Sequence, residues 1–372
     1  MLLELARGLA ALWIFFFHVN SLFETSSQVI YQLSAYGNLG VPMFFVISGY
    51  VITQSAESSL KNEKSPFVFL KARFLRIYPA FWASVAIVLI TPYIMASISA
   101  LKSGEYMVPE NILVKFNHIE WANFLWLSKV FFATSRDLQA EFNTVNAVYW
   151  TLAIEFQFYL VVFLALCFRK YYRHVIAIIS TAAFLTMLIP NEINYGSFIH
   201  YWPSFSVGIA LAYLHRNGVW SSYFLKHKST QLIAIFGVTA LLISSVTSFD
   251  NNHLFFAFCF GVFLWAITDI EKVIHKIKNS ENKLFSYLLE PWLILGTMSY
   301  SVYLLHESIN KLINMFVRQM IDPGNVLFSL LSITGTLLLC YPFYFFVERK
   351  FLSKNYKRMH QEVLASALSG RA

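Results

Sequence analysis

Residues 79–98 read PAFWASVAIVLITPYIMASI, a run of 20 residues without one charged side chain. A helix rises 1.5 Å per residue, so a run of this length covers about 30 Å, the thickness of the hydrocarbon core of a bilayer. Charge returns at both margins, because Arg73 and Arg76 precede the run and Lys102 follows it. Apolar length bounded by charge predicts a membrane-spanning helix.

The composition of the whole chain fits the same environment. Of its 372 residues, 57% are hydrophobic and 13% are charged, whereas soluble domains average about 45–50% and about 25%. Apolar runs of similar length recur from end to end, so we predict an all-α, polytopic integral membrane protein with about ten transmembrane helices. The predicted spans are 3–23, 38–55, 79–98, 147–168, 174–190, 199–214, 231–248, 254–270, 291–314 and 325–347.

Basic residues are distributed unequally between the two sets of loops that ten spans create. Of 28 Lys and Arg residues, one side of the membrane holds 6 and the other the remaining 22. The six are Lys102, Lys115, Lys129, Arg136, Lys311 and Arg318. Cytoplasmic loops carry such an excess, so we predict a multi-pass protein of the inner (cytoplasmic) membrane with both termini in the cytoplasm. The net charge of +8 therefore reflects topology, and no nucleic-acid-binding motif accompanies it.

No composition break divides the chain, so residues 1–372 are interpreted as one transmembrane domain without an appended soluble domain. The three cysteines lie far apart within predicted spans, which argues against a disulfide framework or a cysteine metal site. Neither an HExxH signature nor a glycine-rich phosphate loop occurs, so no metal is predicted. The long outer loop, 99–146, contains a semi-apolar stretch at 119–134 that either lies on the membrane surface or covers a cavity.

The first predicted span contains two ionisable residues, Arg7 and His18. Eleven residues make close to three helical turns, so both side chains project from one face, about 16 Å apart along the axis. Arg7 would lie near the cytoplasmic mouth and His18 in the outer half of the membrane. Ionisable groups at this depth are costly and commonly mark a functional site. The alternatives are a snorkelling arginine and a histidine that bonds a neighbouring helix.

Arg73 and Arg76 are neighbours at i and i+3 on one helical face, just on the cytoplasmic side of the third span. Two adjacent guanidinium groups suit bidentate recognition of phosphate. Taken alone, the pair is more typical of a positive-inside anchor before a span.

Two further segments place polar groups within predicted spans. Glu155 enters its span from outside to a depth comparable with His18, where a carboxylate could bond the imidazole and raise its basicity; the alternative is a structural bridge between helices. The stretch 296–306 is rich in small and hydroxyl residues, which allow close helix packing. Tyr300, Ser301 and His306 within it are candidate substrate contacts.

Six segments together resemble the acyltransferase 3 family of bacterial membrane acyltransferases, which modify sugars of surface and exported polysaccharides. One is the pair Arg7 and His18, separated by ten residues. The other five are GVPMFFVISG (40–49), RFLRIYP (73–79), WTLAIEFQFY (150–159), SYSVYLLH (299–306) and FYFFVERKF (343–351). They follow the family's order across nearly the whole chain, and ten spans is the family's usual core.

The resemblance implies transfer of an acyl group, usually acetyl, from acyl-coenzyme A to a hydroxyl of a saccharide or lipid-linked saccharide. It implies that His18 is the catalytic histidine and Glu155 a further important polar residue. The donor-binding basic residues would be Arg7, Arg73 and Arg76. Many members carry an acidic residue where this chain has Pro42, and many continue into a soluble esterase-like domain.

The sequence leaves two mechanisms and one rival function open. His18 would act either as general base on the acceptor hydroxyl or as a transient covalent acyl carrier. A polytopic transporter or flippase would use the buried His, Glu and Arg as a substrate or proton path. Transporters often show repeated halves, and the chain shows none.

Overall fold

A computed structural model describes residues 2–24, 27–128, 142–186, 197–217, 253–267 and 283–352, and every regular element in these ranges is helical. The α-helices there are α1 Leu2–His18, α2 Gln28–Ala35, α3 Gly40–Lys61, α4 Pro66–Ser103, α5 His118–Leu125, α6 Trp150–Cys167, α7 Tyr172–Thr186, α8 Phe198–Asn217, α9 His253–Ala266, α10 Lys283–Thr297, α11 Ser299–Val317 and α12 Val326–Phe346. The all-α class is confirmed for the described part of the chain.

Four of these helices are long and apolar enough to cross a membrane, namely α3, α4, α6 and α12. The bent pair α10 and α11 makes a fifth candidate if it is counted as one span. The predicted span 231–248 lies outside the described residues. The number of ten spans and the cytoplasmic position of both termini therefore stay predictions, while several apolar helices mark a membrane protein.

Helix α4 is much longer than the predicted span 79–98. Pro79 and Pro92 lie inside it; each removes one backbone donor, which bends a helix without necessarily ending it. The helix ends at Gly104, whose φ of +76° is the left-handed conformation that closes helix C-termini. Consequently Arg73 and Arg76, predicted just before the span, lie within the same continuous helix.

The predicted span 291–314 is broken at Met298, where α10 and α11 meet at 81°. Two local features accompany the break. The Thr297 hydroxyl donates to the carbonyl three residues earlier at 2.7 Å, a local bond that bends helices. A Cβ on Gly296 would lie 2.1 Å from the Glu4 carbonyl oxygen, so the backbone of α1 passes against this point.

A second close crossing joins α3 to α8. A Cβ on Gly208 would lie 1.9 Å from the Val46 carbonyl oxygen, and one on Gly49 would lie 2.1 Å from the carbonyl oxygen of Phe205. Only glycine fits at such contacts, as at membrane helix interfaces generally. The crossing sets α3 at the centre of the bundle, with α1, α6 and α8 against it.

The predicted outer loop 99–146 is partly helical. Helix α5 packs on α4 through Phe124, which is buried, and through the Tyr78 hydroxyl, which donates to the Trp126 carbonyl at 2.7 Å. Trp82 Nε1 donates to the Leu125 carbonyl at 2.9 Å. Within its described part, up to residue 128, the semi-apolar stretch thus covers the side of α4.

Candidate active site

A cavity of about 100 Å³ opens between α1, α3, α4, α6 and α11. On the same measure one water needs about 10–15 Å³, so the space suits several waters or a slender chain. Its charged lining consists of Arg7, Arg73, Arg76 and Glu155. Together with Tyr300, the structure therefore brings five of the predicted site residues to one cavity, from four different helices.

Two of the three arginines retain unused donors. Arg73 Nη2 donates to Ser55 Oγ at 2.8 Å, while its Nε is buried without a hydrogen-bond partner among the described residues. The guanidinium lies 6.0 Å from the centroid of the Tyr159 ring. Arg7 lines the same space, and no side chain in the described ranges hydrogen-bonds to it. Both groups can turn to an anion that enters the cavity.

The third arginine is held by a carboxylate from beyond α12. Arg76 Nη1 lies 2.7 Å from Glu348 Oε1, and the two side chains are 17% and 1% exposed. Glu348 Oε2 accepts from the backbone N–H of Ser301 at 3.1 Å and from its hydroxyl at 2.5 Å. Glu348 thereby satisfies a donor left open at the start of α11 by the bend. The Ser301 hydroxyl thus has a structural role through Glu348, and the substrate contact expected of Ser301 stays a prediction.

Glu155 lies at the arginine end of the site, and its expected pairing with the His18 imidazole is corrected. Its Oε1 accepts from the Ser48 hydroxyl at 3.0 Å and from the Tyr159 hydroxyl at 2.6 Å. Tyr159 is one turn further along α6, so local geometry alone supplies one of these donors. Glu155 therefore organises the wall of the cavity beside Arg73.

His18 is the last residue of α1 and lies outside the cavity lining. Its ring centroid is 5.2 Å from that of His306, on α11. The charged groups that act electrostatically on it are Glu307 and Lys311, also on α11. A second polar centre thus forms where α1 meets the middle of α11.

His306 has a fixed role in this second centre, which we call the histidine cluster (His18, His306, Glu307 and Lys311). Its Nδ1 lies 2.9 Å from the Val302 carbonyl oxygen. A carbonyl only accepts, so Nδ1 carries the proton and Nε2 presents a lone pair in the neutral ring. That Nε2 is buried with no partner in the described ranges.

Tyr303 connects the two centres. It lines the cavity, and its ring centroid lies 6.4 Å from that of His306 and 5.7 Å from that of Phe44. Its hydroxyl donates to the Val148 carbonyl at 2.8 Å. Tyr300, one turn earlier, also lines the cavity, and its hydroxyl donates to the Ile77 carbonyl at 3.0 Å.

Sequence reasoning missed Glu348 and Glu307 as site residues. Glu348 stands in the last family-like segment, but its partner Arg76 is 272 positions away, and nothing local signals that pairing. Glu307 follows His306 directly, and a carboxylate inside a predicted span was an available signal. In the described part of the chain, no group of three or more His, Cys, Asp or Glu side chains is placed to hold a metal ion.

Comparison with known proteins identifies the family. Residues 2–345 match the family described as the acyltransferase domain of type 3. The chain is 25% identical over 92% of its length to the peptidoglycan O-acetyltransferase OatA of Listeria monocytogenes, and covers 54% of that protein. It is 26% identical over 90% of its length to the O-acetyltransferase OatA of Staphylococcus aureus, of which it covers 56%.

A third relative is the acyltransferase MdmB of Streptomyces mycarofaciens, 26% identical over 63% of this chain and 62% of that protein. The chain thus spans little more than half the length of these relatives. No solved structure matches it. A family match over almost the whole chain favours the acyltransferase over the transporter, the two functions that the sequence left open. The chain belongs to the acyltransferase 3 family.

Proposed function

We propose that this protein transfers an acetyl group from cytoplasmic acetyl-coenzyme A to a hydroxyl of a saccharide that is exported or displayed at the cell surface. The observation that carries the proposal is the cavity lined by three arginines, one of them on the same helix as His18. The nucleotide of the donor would then lie at the start of α1 and the acceptor at its end, where the thioester would reach it.

The cavity has the chemistry that an acyl-coenzyme A donor needs. The nucleotide end of coenzyme A carries phosphates, which guanidinium groups bind through charge-assisted hydrogen bonds. Arg73 Nε and the Ser299 hydroxyl both line the space and are buried without partners among described residues. Unsatisfied buried polar atoms are costly, so a ligand that supplies acceptors would be stabilised there. With both termini in the cytoplasm, these groups face the compartment that contains the donor.

The pantetheine arm matches the remaining distance. Arg7 and His18 are about 16 Å apart by helix rise, and the arm is thin, mostly uncharged and of comparable length. The thioester could therefore approach the histidine cluster past Tyr303 while the nucleotide stays at the arginines. This division keeps the polyanionic part of the donor out of the membrane interior, where charge is expensive.

His18 would carry the reaction in one of two ways. As general base it would take the proton of the acceptor hydroxyl while the new C–O bond forms and the C–S bond breaks, and the coenzyme A thiolate would then take that proton. As covalent carrier it would hold the acyl group before passing it to the hydroxyl. Both routes end in an ester and a free thiol.

The acceptor class follows from the relatives rather than from the cavity. Two of them are named O-acetyltransferases, one of peptidoglycan, so we propose a glycan or lipid-linked saccharide hydroxyl at the outer side of the inner membrane. Tyr300 would contribute to the cavity wall, and His306 would face the acceptor beside His18.

The test compares surface glycans from cells with and without the gene by mass spectrometry. The proposal expects one alkali-labile acetyl ester to disappear on deletion, to return with the wild-type gene, and to stay absent with His18→Ala at equal protein level. Restoration of the ester by His18→Ala would refute the role of His18. An unchanged glycan on deletion would refute the acceptor class. A transporter of other solutes would not bind labelled acetyl-coenzyme A, whereas the proposed enzyme should.

A further inference from the structure

We infer that Glu307 is a positioning residue for His18, whose negative charge holds the protonated imidazole that forms during acyl transfer. The inference rests on the proposed function and assigns the carboxylate partner that the sequence had sought in Glu155. It is carried by the histidine cluster and not by the arginine-lined cavity.

The geometry brings His306 of α11 to the end of α1, and Glu307 and Lys311 follow it on the same helix. His306 packs against the His18 ring at 5.2 Å between centroids, and Phe15 closes the other side of His306 at 5.5 Å. His306 Nδ1 donates to a carbonyl and its buried Nε2 has no partner among the described residues, so the neutral ring, with a free lone pair on Nε2, is the form that suits this site. A neutral, buried neighbour supplies no counter-charge, so a charged His18 needs another partner.

Glu307 is placed to be that partner. Its Oε1 accepts from Lys311 Nζ at 2.7 Å, one turn along α11. Its Oε2 is buried and makes no hydrogen bond to any described residue. Lys311 holds only Oε1 and is itself 64% exposed, so Oε2 remains an open acceptor for a second cation, the imidazolium that exists only during the reaction.

The surrounding titratable groups are few. Glu307 interacts with His18, His306 and Lys311, and Tyr149 feels its charge from the turn before α6. The Tyr149 hydroxyl is already bonded to Ser84 Oγ at 2.9 Å. His18 itself responds to Glu307 and Lys311. Glu307 is therefore the anionic group, and Lys311 the opposing cation, that act on His18 in the described part of the chain.

The chemical step balances without transferring a proton to Glu307. His18 accepts the hydroxyl proton as the C–O bond forms, the C–S bond breaks, and the departing thiolate takes the proton back from the imidazolium. The carboxylate stabilises the imidazolium only while it exists, a contribution that differs between ground and transition states. Its loss should therefore lower kcat more than it changes KM for the donor.

The experiment measures acetyl transfer at pH 5 to 9 in permeabilised cell envelopes from the native host, which contain the natural acceptor, with [14C]acetyl-coenzyme A as donor. Treatment with hydroxide releases the ester-bound label as acetate, and the amount of released label measures the ester formed. Activity on the acid side falls as His18 becomes protonated. For Glu307→Gln we expect kcat to fall roughly 10–100-fold. The acid limb of the profile of rate against pH should move to lower pH by about one unit, because the protonated His18 is no longer stabilised by the Glu307 carboxylate.

Lys311→Met supplies the opposite perturbation. Removing the cation leaves more net negative charge beside His18, so the acid limb should move to higher pH, by roughly half a unit. Lys311 is 64% exposed, so this variant is expected to fold. Glu307→Asp should retain part of the rate, and Glu110→Gln, at an exposed pair with Lys115, is the matched control with an unmoved profile.

The outcomes separate the inference from the proposed function. Shifts in opposite directions for Glu307→Gln and Lys311→Met support it, since misfolding would move neither limb in a defined direction. Unmoved limbs in both variants, or a uniform loss of rate at every pH, would overturn it while His18→Ala remains inactive. Full activity in His18→Ala would instead overturn the proposed function itself.

Discussion

The ion pair between Glu348 and Arg76 should be the strongest single polar contact at the bend between α10 and α11. Glu348 is 1% exposed and Arg76 17%, and Ser301 adds two hydrogen bonds to the same carboxylate. Removing one partner of a buried pair costs about 3–5 kcal/mol, because the other charge is left uncompensated. The partial exposure of Arg76 places Glu348→Gln at the lower end, about 3 kcal/mol of unfolding free energy.

The assay is thermal or denaturant unfolding of the purified protein in one detergent, with four matched variants: Ser301→Ala, Glu110→Gln, Arg76→Gln and the double variant. Ser301→Ala removes one hydroxyl bond and should cost about 1 kcal/mol. Glu110→Gln breaks an exposed ion pair with Lys115 and should cost between about 0.2 and 1 kcal/mol. The double variant of Glu348→Gln with Arg76→Gln should cost clearly less than the sum of the two single variants.

Equal stability of Glu348→Gln and Glu110→Gln would refute this reasoning, as would additive costs in the double variant. Either result would mean that the carboxylate does not satisfy Arg76 and the start of α11. The bend would then depend on the Thr297 hydrogen bond and on the contact of Gly296 with α1.

Two further predictions follow from other contacts. Gly208→Ala should strongly reduce the yield of folded protein, since its Cβ would meet backbone at 1.9 Å. Gly335→Ala should be tolerated, because its Cβ meets only the Ile313 side chain at 3.2 Å or more. Chromatographic recovery of both variants in detergent tests this difference. Glu155→Gln should lower kcat/KM for acetyl-coenzyme A without moving the acid limb of the pH profile. The reason is that Glu155 accepts hydrogen bonds from Ser48 and Tyr159 rather than from His18. An acid limb displaced as in Glu307→Gln would contradict that placement.

Helical periodicity predicted correctly what lies within one helix. The apolar run placed Arg7 and His18 on a common helix, and α1 contains both; the common face predicted from their 11-residue spacing stays a prediction. The same reasoning placed Arg73 and Arg76 on one face, and both line the cavity. What it left out is which partner helix each residue meets, since that depends on crossings such as those at Gly8 and Gly296.

Side-chain pairing between helices was predicted less well. A contact between Glu155 and His18 was expected, yet the two residues belong to separate centres. The error arose because hydropathy averages over a window and does not detect the break at Met298 or the end of α1 at His18. Pairings across long sequence separations, such as Arg76 with Glu348, leave no local pattern at all.

The central claim is that donor binding and acyl transfer depend on different ends of α1. One measurement tests it directly: [14C]acetyl-coenzyme A binding and acetyl transfer, determined side by side for His18→Ala, Arg73→Gln and the control Lys71→Gln, which is exposed on the same helix as Arg73. Loss of a charge-assisted bond to phosphate should weaken binding roughly 10–100-fold in Arg73→Gln.

For His18→Ala the account predicts binding within about twofold of wild type and no detectable transfer, while Lys71→Gln keeps both. If His18→Ala lost binding and transfer together, or if Arg73→Gln bound acetyl-coenzyme A as tightly as wild type, the separation of a donor end from a transfer end would be wrong.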